Sequence, residues 1–140
     1  YPNVRLLELP FLACRLEDET FTRGSSRKAL HHLTDPEKID FFALIGQRFV
    51  PGARFVIEDA VFDFPRSTLE KNMHLVLADA ERWYGERWPK VREDLLITLR
   101  EEFATGIDAW EEALHAGGFR ITERRRRTCF LSHLTAIKEG

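Results

Sequence analysis

Cysteine is scarce: Cys14 and Cys129 are the only two in 140 residues, with no CxxC spacing and no histidine at zinc-finger distance. That argues against a structural zinc site and for two free thiols in a reducing compartment, so the expectation is a cytoplasmic protein. Long hydrophobic runs are missing too. No stretch of about twenty apolar residues could span a bilayer, and no apolar signal core opens the chain. The chain begins with Tyr1 rather than Met, as a fragment or processed product would. Nor is there an excess of one charge. Twenty-one basic against 23 acidic side chains leave a formal charge of -2, which speaks against a protein built mainly to hold nucleic acid or an anionic membrane. With 44% hydrophobic and 31% charged residues and no internal repeat or low-complexity linker, residues 1–140 read as one globular domain.

What is present is punctuation. Thr34 and Glu37 have capping-box spacing, Asp35 is an alternative cap, and Pro36 suits a first helical turn. Ile39, Phe42, Ile45 and Phe49 then recur at helical spacing, with Phe41 and Leu44 widening the apolar face, up to Pro51-Gly52. Phe55, Val56 and Ile57 follow as a continuous apolar run, which predicts a central strand covered on both faces. Ser67 and Glu70 form a second capping-box pattern ahead of a stripe of Leu69, Met73, Val76, Leu77, Ala80 and Trp83 that ends near Gly85. Pro89 opens another helix carrying Val91, Leu95, Leu99 and Phe103. Thr105 and Asp108 open a shorter one with Ile107, Trp110 and Leu114 inward, closed by Gly117-Gly118. FRIT, a basic run and CFLSHLTAI then read as an antiparallel hairpin.

This ordered series, from ALHHLTDPEKIDFFALIGQRFVPGARFVIED at Ala29–Asp59 through HAGGF to Ile137, resembles the second half of a class I S-adenosylmethionine-dependent methyltransferase. The resemblance implies an α/β fold: an incomplete Rossmann-like sheet of parallel central strands plus a carboxyl-terminal antiparallel hairpin, flanked by helices. Nothing before Ala29 resembles the family's glycine-rich cofactor turn, so the domain is expected to be truncated at its amino end relative to the family. PNVRLLELPFLACRLEDETF looks like the family's third strand. Its usual acidic positions are lost near Pro10 and at Thr22. TRGSSRKA stands where the family has an apolar central strand, yet carries Arg23, Gly24, Arg27 and Lys28. With the family's sheet order 3-2-1-4-5-7-6, loss of strands 1 and 2 turns strand 4 into an edge, and edges carry charge and glycine. A second copy or another partner chain completing that edge would make a dimer.

By the same resemblance, Phe11 would sit against the adenine of S-adenosylmethionine, with Ser26 and Ala29 on its methionine side. His31, His32 and Asp59 would face a small-molecule acceptor, at the carboxyl ends of the strands where open α/β sheets bind ligands. Met73, Trp83, Tyr84 and Trp88 would form the lid over the acceptor. Plainer readings stand beside these. Phe11 fills core, the histidine pair comprises one structural hydrogen bonder and one exposed ring, Asp59 caps a turn, and the lid aromatics are helix packing. His31 and His32 could also ligate a metal with Asp35, although no metal is expected. The implied function is small-molecule methyl transfer, the alternative being an inactive remnant that serves as an oligomerisation or interaction module. Arg124 to Arg127 could neutralise phosphates, but alternate strand residues face opposite ways, so a solvated turn or an intersubunit ion-pair region is the simpler expectation and nucleic acid is not the expected partner.

Overall fold

The computed structural model describes residues 2–16 and 18–140. Four main strands, β1 (Phe21–Arg27), β2 (Phe49–Phe62), β4 (Phe119–Thr128) and β5 (Leu131–Lys138), lie in the order β1-β2-β5-β4. The two-residue strand β3 (Thr105–Gly106) pairs with the far end of β2. β1 runs parallel to β2, whereas β5 is antiparallel to both β2 and β4. This is the 4-5-7-6 part of the sheet order implied by the resemblance.

Helix α1 (Asp35–Gly46) begins as its sequence dictates: Thr34 accepts from the Glu37 amide, Glu37 returns the bond to the Thr34 amide at 3.0 Å, and Pro36 occupies the first turn. Two unpaired helix-end amides are thereby satisfied. α1 and α4 (Ile107–Ala116) cover one face of the sheet, where Phe42, Phe55, Phe119, Trp110 and Leu134 are buried in one cluster. The end of α1 at Gly46 lies on the turn after α4. A Cβ there would stand 2.3 Å from the Gly117 carbonyl oxygen, so only glycine permits the approach. A second cluster, at the far end of β2, joins Phe62, Leu69, Met73, Val76, Leu99 and Phe130 under α2 (Met73–Tyr84) and α3 (Trp88–Glu101).

Several sequence expectations shift by a turn. Phe49 belongs to β2 and not to the helix, and Pro51-Gly52 lies inside β2. There the register with β1 jumps from Phe21↔Phe49 to Arg23↔Arg54, and Gly52 takes φ +83° in the resulting bulge. Around its middle, β2 is sealed on only one face: Phe55 and Ile57 are buried, while Val56 and Glu58 are half-buried. Ser67 and Glu70 do not open α2. Residues Arg66–Thr68 make a 3-10 turn, the helix starts at Met73, and Glu70 instead pairs with Arg100 at 2.8 Å. Trp83 falls off the inner stripe of α2 and is exposed.

The segment matched to the family's third strand forms no strand among its described residues. It carries a 3-10 turn at Phe11–Ala13, and Phe11 packs edge-on against Phe41 at 5.7 Å. The physical reason is that a strand needs a neighbour, and β1 is itself the sheet's edge. As expected for an edge, β1 exposes Thr22, Arg23, Ser25 and Arg27.

The arginine run is strand rather than turn. It occupies the end of β4, and Cys129-Phe130 make the turn. Its ion pairs lie within the chain: Arg124 and Arg126 both reach Asp63, the latter at 2.7 Å, and Arg125 meets Glu123 at 2.9 Å. Phosphate-seeking charge is thus largely neutralised locally. Beside it the Cys129 thiol, buried and held to Asp79, is pushed up to about 12, so it is a packing residue and not a nucleophile.

Candidate active site

At the carboxyl end of β1 the chain turns sharply. Lys28 takes φ +49°, a left-handed conformation uncommon outside glycine, and its amide donates to the Glu58 carbonyl at 2.7 Å. The next residues wind into a 3-10 turn, Leu30–His32, that delivers His31 over the end of β2. Asp59, on β2, receives it. One Asp59 oxygen lies 2.8 Å from His31 Nδ1 and also accepts the Ala60 amide at 2.8 Å, while the other accepts the Leu30 amide at 3.1 Å. Asp59 is only 1% exposed, and these donors compensate its burial. A carboxylate at Nδ1 fixes the neutral ring as the Nδ1–H tautomer and leaves the Nε2 lone pair outward.

Glu102, the residue after α3, stands at that second nitrogen with Oε2 2.8 Å from His31 Nε2. Oε2 is buried and makes no aligned hydrogen bond. The Asp59 hydrogen bond, aided by attraction to Asp59 and Glu102, raises the His31 pKa above its ordinary 6.5 despite burial, which works the other way.

His31 and Asp59 line a cavity of about 370 Å3 floored by Leu95, Leu99, Phe130 and Leu131, with Lys28, Arg87 and Asp94 among its polar walls. An apolar cleft with a few convergent polar groups is the usual form of a small-molecule site. Of the residues expected at the acceptor, His31 and Asp59 thus meet. His32 lies beside His31 with ring centres 4.4 Å apart and planes tilted by 38°, but it is exposed. Of the expected lid, Tyr84 lines the cavity and Trp88 stacks behind it at 6.1 Å, whereas Met73 is core and Trp83 faces outward. The largest single share of the wall comes from α3, through Val91, Asp94, Leu95, Thr98 and Leu99, with Arg87 just before it.

Sequence reasoning missed Glu102. The apolar spacing ran the helix on to Phe103, but the backbone leaves helical geometry at Glu102 (ψ -172°) and turns its carboxylate toward His31. Only a residue distant in sequence reveals its role. A metal set, if there were one, would be His31, His32 and Glu102, whose ligand atoms lie within 4.8 Å of one another, rather than the histidines with Asp35. Asp35 instead accepts a hydrogen bond from the Thr105 hydroxyl at 3.0 Å.

The three residues matched to the cofactor do not converge on this cavity. Phe11 lines a separate apolar groove with Leu7, Leu9, Gly24 and Phe41. Ser26 lies opposite Ile57 on the sheet face covered by α1 and α4, and Ala29 precedes the turn that carries His31.

No protein-family model matches the sequence, and no curated protein does. Solved structures do match in shape. Human N-acetylserotonin methyltransferase in complex with S-adenosylmethionine aligns with 96% of this chain at TM-score 0.63 and 14% identity. The fold is that of a class I methyltransferase. An O-methyltransferase family 2 protein from Planctomyces limnophilus, solved with apigenin, matches 92% of the chain at TM-score 0.60 and 10% identity. A pericyclic reaction enzyme matches 94% at TM-score 0.58 and 14% identity. The chain spans about a third of the length of these proteins, covering 33%, 33% and 29% of them respectively. The methyltransferase fold, in its carboxyl-terminal part, is thereby established; its chemistry has to be argued from the site. No helix among the described residues is long and apolar enough to cross a membrane.

Proposed function

We propose that this chain forms the acceptor-binding part of an S-adenosylmethionine-dependent methyltransferase acting on the hydroxyl of a small, largely apolar molecule. The observation that carries this is the Asp59–His31–Glu102 line, of which His31 and Asp59 line the cavity. A hydroxyl is a weak nucleophile until its proton leaves, and a neutral imidazole oriented through Nδ1 can take that proton on Nε2. Asp59, held at Nδ1, would then stabilise the imidazolium. In the present arrangement Glu102 covers Nε2, so acceptor entry displaces its carboxylate.

The cofactor, when bound, supplies the methyl group. The usual holder of its adenosine and methionine ends is a glycine-rich turn with an acidic residue on the ribose, and these 140 residues contain no such turn. The donor set fits the acceptor half of the site and not the cofactor half. Calorimetric titration of the protein with a planar phenol such as apigenin, followed by imidazole NMR, tests the reading. Saturable binding near one site per chain with a shifted His31 resonance is the expected result; binding that leaves His31 untouched would defeat it.

A homodimer formed through the β1 edge is the assembly we propose with it. Support comes from the outer side of β1, unpaired among the described residues, and the apolar groove beside it, lined by Leu7, Leu9, Phe11 and Phe41. Light scattering should report a species of twice the chain mass, and Ser25→Pro, which removes an edge N–H, should shift it to monomer. A monomer at micromolar concentration before substitution would refute the edge pairing.

A further inference from the structure

Lys38 is the least expected buried residue of the domain. It lies on the first turn of α1 and is 0% exposed. A buried ammonium is costly unless its protons are satisfied, and this one has taken backbone oxygens as partners. Its Nζ donates to the Leu33 carbonyl and, at 2.7 Å, to the Phe103 carbonyl, with the Asp35 carboxylate 3.7 Å away and the Trp110 ring 5.5 Å beneath it. Those two carbonyls belong to the two segments that make the site. Leu33 follows the turn carrying His31 and His32, and Phe103 follows Glu102. The same two segments meet again where the Phe103 amide donates to the His31 carbonyl at 2.8 Å.

We propose that Lys38 is a positioning residue, whose buried ammonium clamps the Leu33 and Phe103 carbonyls together and so holds Glu102 against His31. The inference rests on the reading of His31 as the reacting base, since only there does the position of Glu102 matter. Its physical basis is reach. Glu102 lies just past the end of α3 in extended conformation, where no helical hydrogen bond fixes it, and the neighbouring carbonyl held by Lys38 is its near anchor. The companion bond from Arg66 to the Ala104 carbonyl fixes the segment one residue further on. Without Lys38 the segment keeps that outer anchor and the Phe103 amide bond to His31, and loses the hold on the Phe103 carbonyl.

The groups facing His31 are Asp59, Glu102, His32 and, from behind, Lys38 itself. Removing Lys38 therefore deletes a nearby positive charge as well as a clamp, and the two effects move the His31 titration in opposite directions. A double-mutant cycle separates them. His31 titration is followed by imidazole NMR in the original protein, Glu102→Gln, Lys38→Met and the double variant, with the resonance assigned by its loss in His31→Gln.

If Lys38 positions Glu102, then Glu102→Gln lowers the His31 pKa when Lys38 is present and by less than half as much when it is Met. An equal drop in both backgrounds overturns the proposal and leaves Lys38 a purely structural cation. Should Lys38→Met lack a cooperative unfolding transition, Lys38→Gln, which keeps one amide donor for a carbonyl, replaces it in the same cycle. The readout needs neither cofactor nor acceptor. Failure of methyl transfer would count against the proposed function, while the coupling between Lys38 and Glu102 would stand or fall on the titration alone.

Discussion

Replacing His31 with Gln is expected to reduce methyl transfer to a hydroxyl acceptor by about 100- to 10,000-fold, the range typical for loss of a general base, while changing acceptor affinity only a few-fold. Gln keeps a donor for Asp59 but has no nitrogen able to accept a proton. The pH profile gives the sharper evidence. Because the His31 pKa lies above 6.5, the rate in the original protein should climb with pH through a value higher than an ordinary histidine shows, and His31→Gln should lose that limb. Stability should move the opposite way. A histidine whose folded pKa is raised stabilises the fold fully below about 6.5, and that contribution fades as pH rises through the folded value. Denaturant unfolding should therefore show His31→Gln costing more at pH 5.5 than at pH 9. An unchanged rate in His31→Gln, or an acid limb that survives it, would remove His31 from the chemistry.

Phe42→Ala should destabilise the fold by about 3–5 kcal/mol, the usual loss when a buried phenylalanine is truncated. Phe42 is 0% exposed and meets three other rings edge-on: Phe41 at 5.2 Å, Phe55 at 5.5 Å and Phe119 at 6.3 Å. These join α1 to β2 and β4, so no single neighbour can relax into the space. The Gly46–Gly117 approach also leaves the helix no freedom to slide inward. Since a domain of this kind is stable by only about 5–15 kcal/mol, urea unfolding of Phe42→Ala should show a midpoint well below that of the original protein. A loss below about 1 kcal/mol would mean that this cluster is not the structural centre. Function should follow indirectly, because α1 carries Lys38 and its cap adjoins the turn bearing His31.

The order of the elements was open to sequence reasoning wherever a local rule applied. The Thr34–Glu37 box set the start of α1, Pro89 the start of α3, and Gly117-Gly118 the end of α4. Edge character in β1 could be read from its charges. Where two local signals competed, contacts across the chain decided. Ser67 and Glu70 have the spacing of a cap, yet Arg100 on α3 takes Glu70 into an ion pair and the helix starts later. Phe49 has the spacing of α1, yet it pairs with Phe21 across the sheet as the first residue of β2.

The site divides in the same way. His31 and Asp59 were reached through the family resemblance, which put them at the acceptor side; in the structure His31 follows β1 and Asp59 lies within β2. Glu102 was not reached, since nothing within ten residues of it distinguishes it from Glu101. Lys38 reads in sequence as one more charge on a helix, and its complete burial follows only from α1 packing against the Leu33 and Phe103 carbonyls. Capping, turn chemistry and apolar period act over a few residues, so they reached the start of α1, the helix opening at Pro89 and the end of α4. The meeting of Glu102 with His31 and the burial of Lys38 rest on contacts between segments 65 or more residues apart, fixed by packing rather than by any local preference.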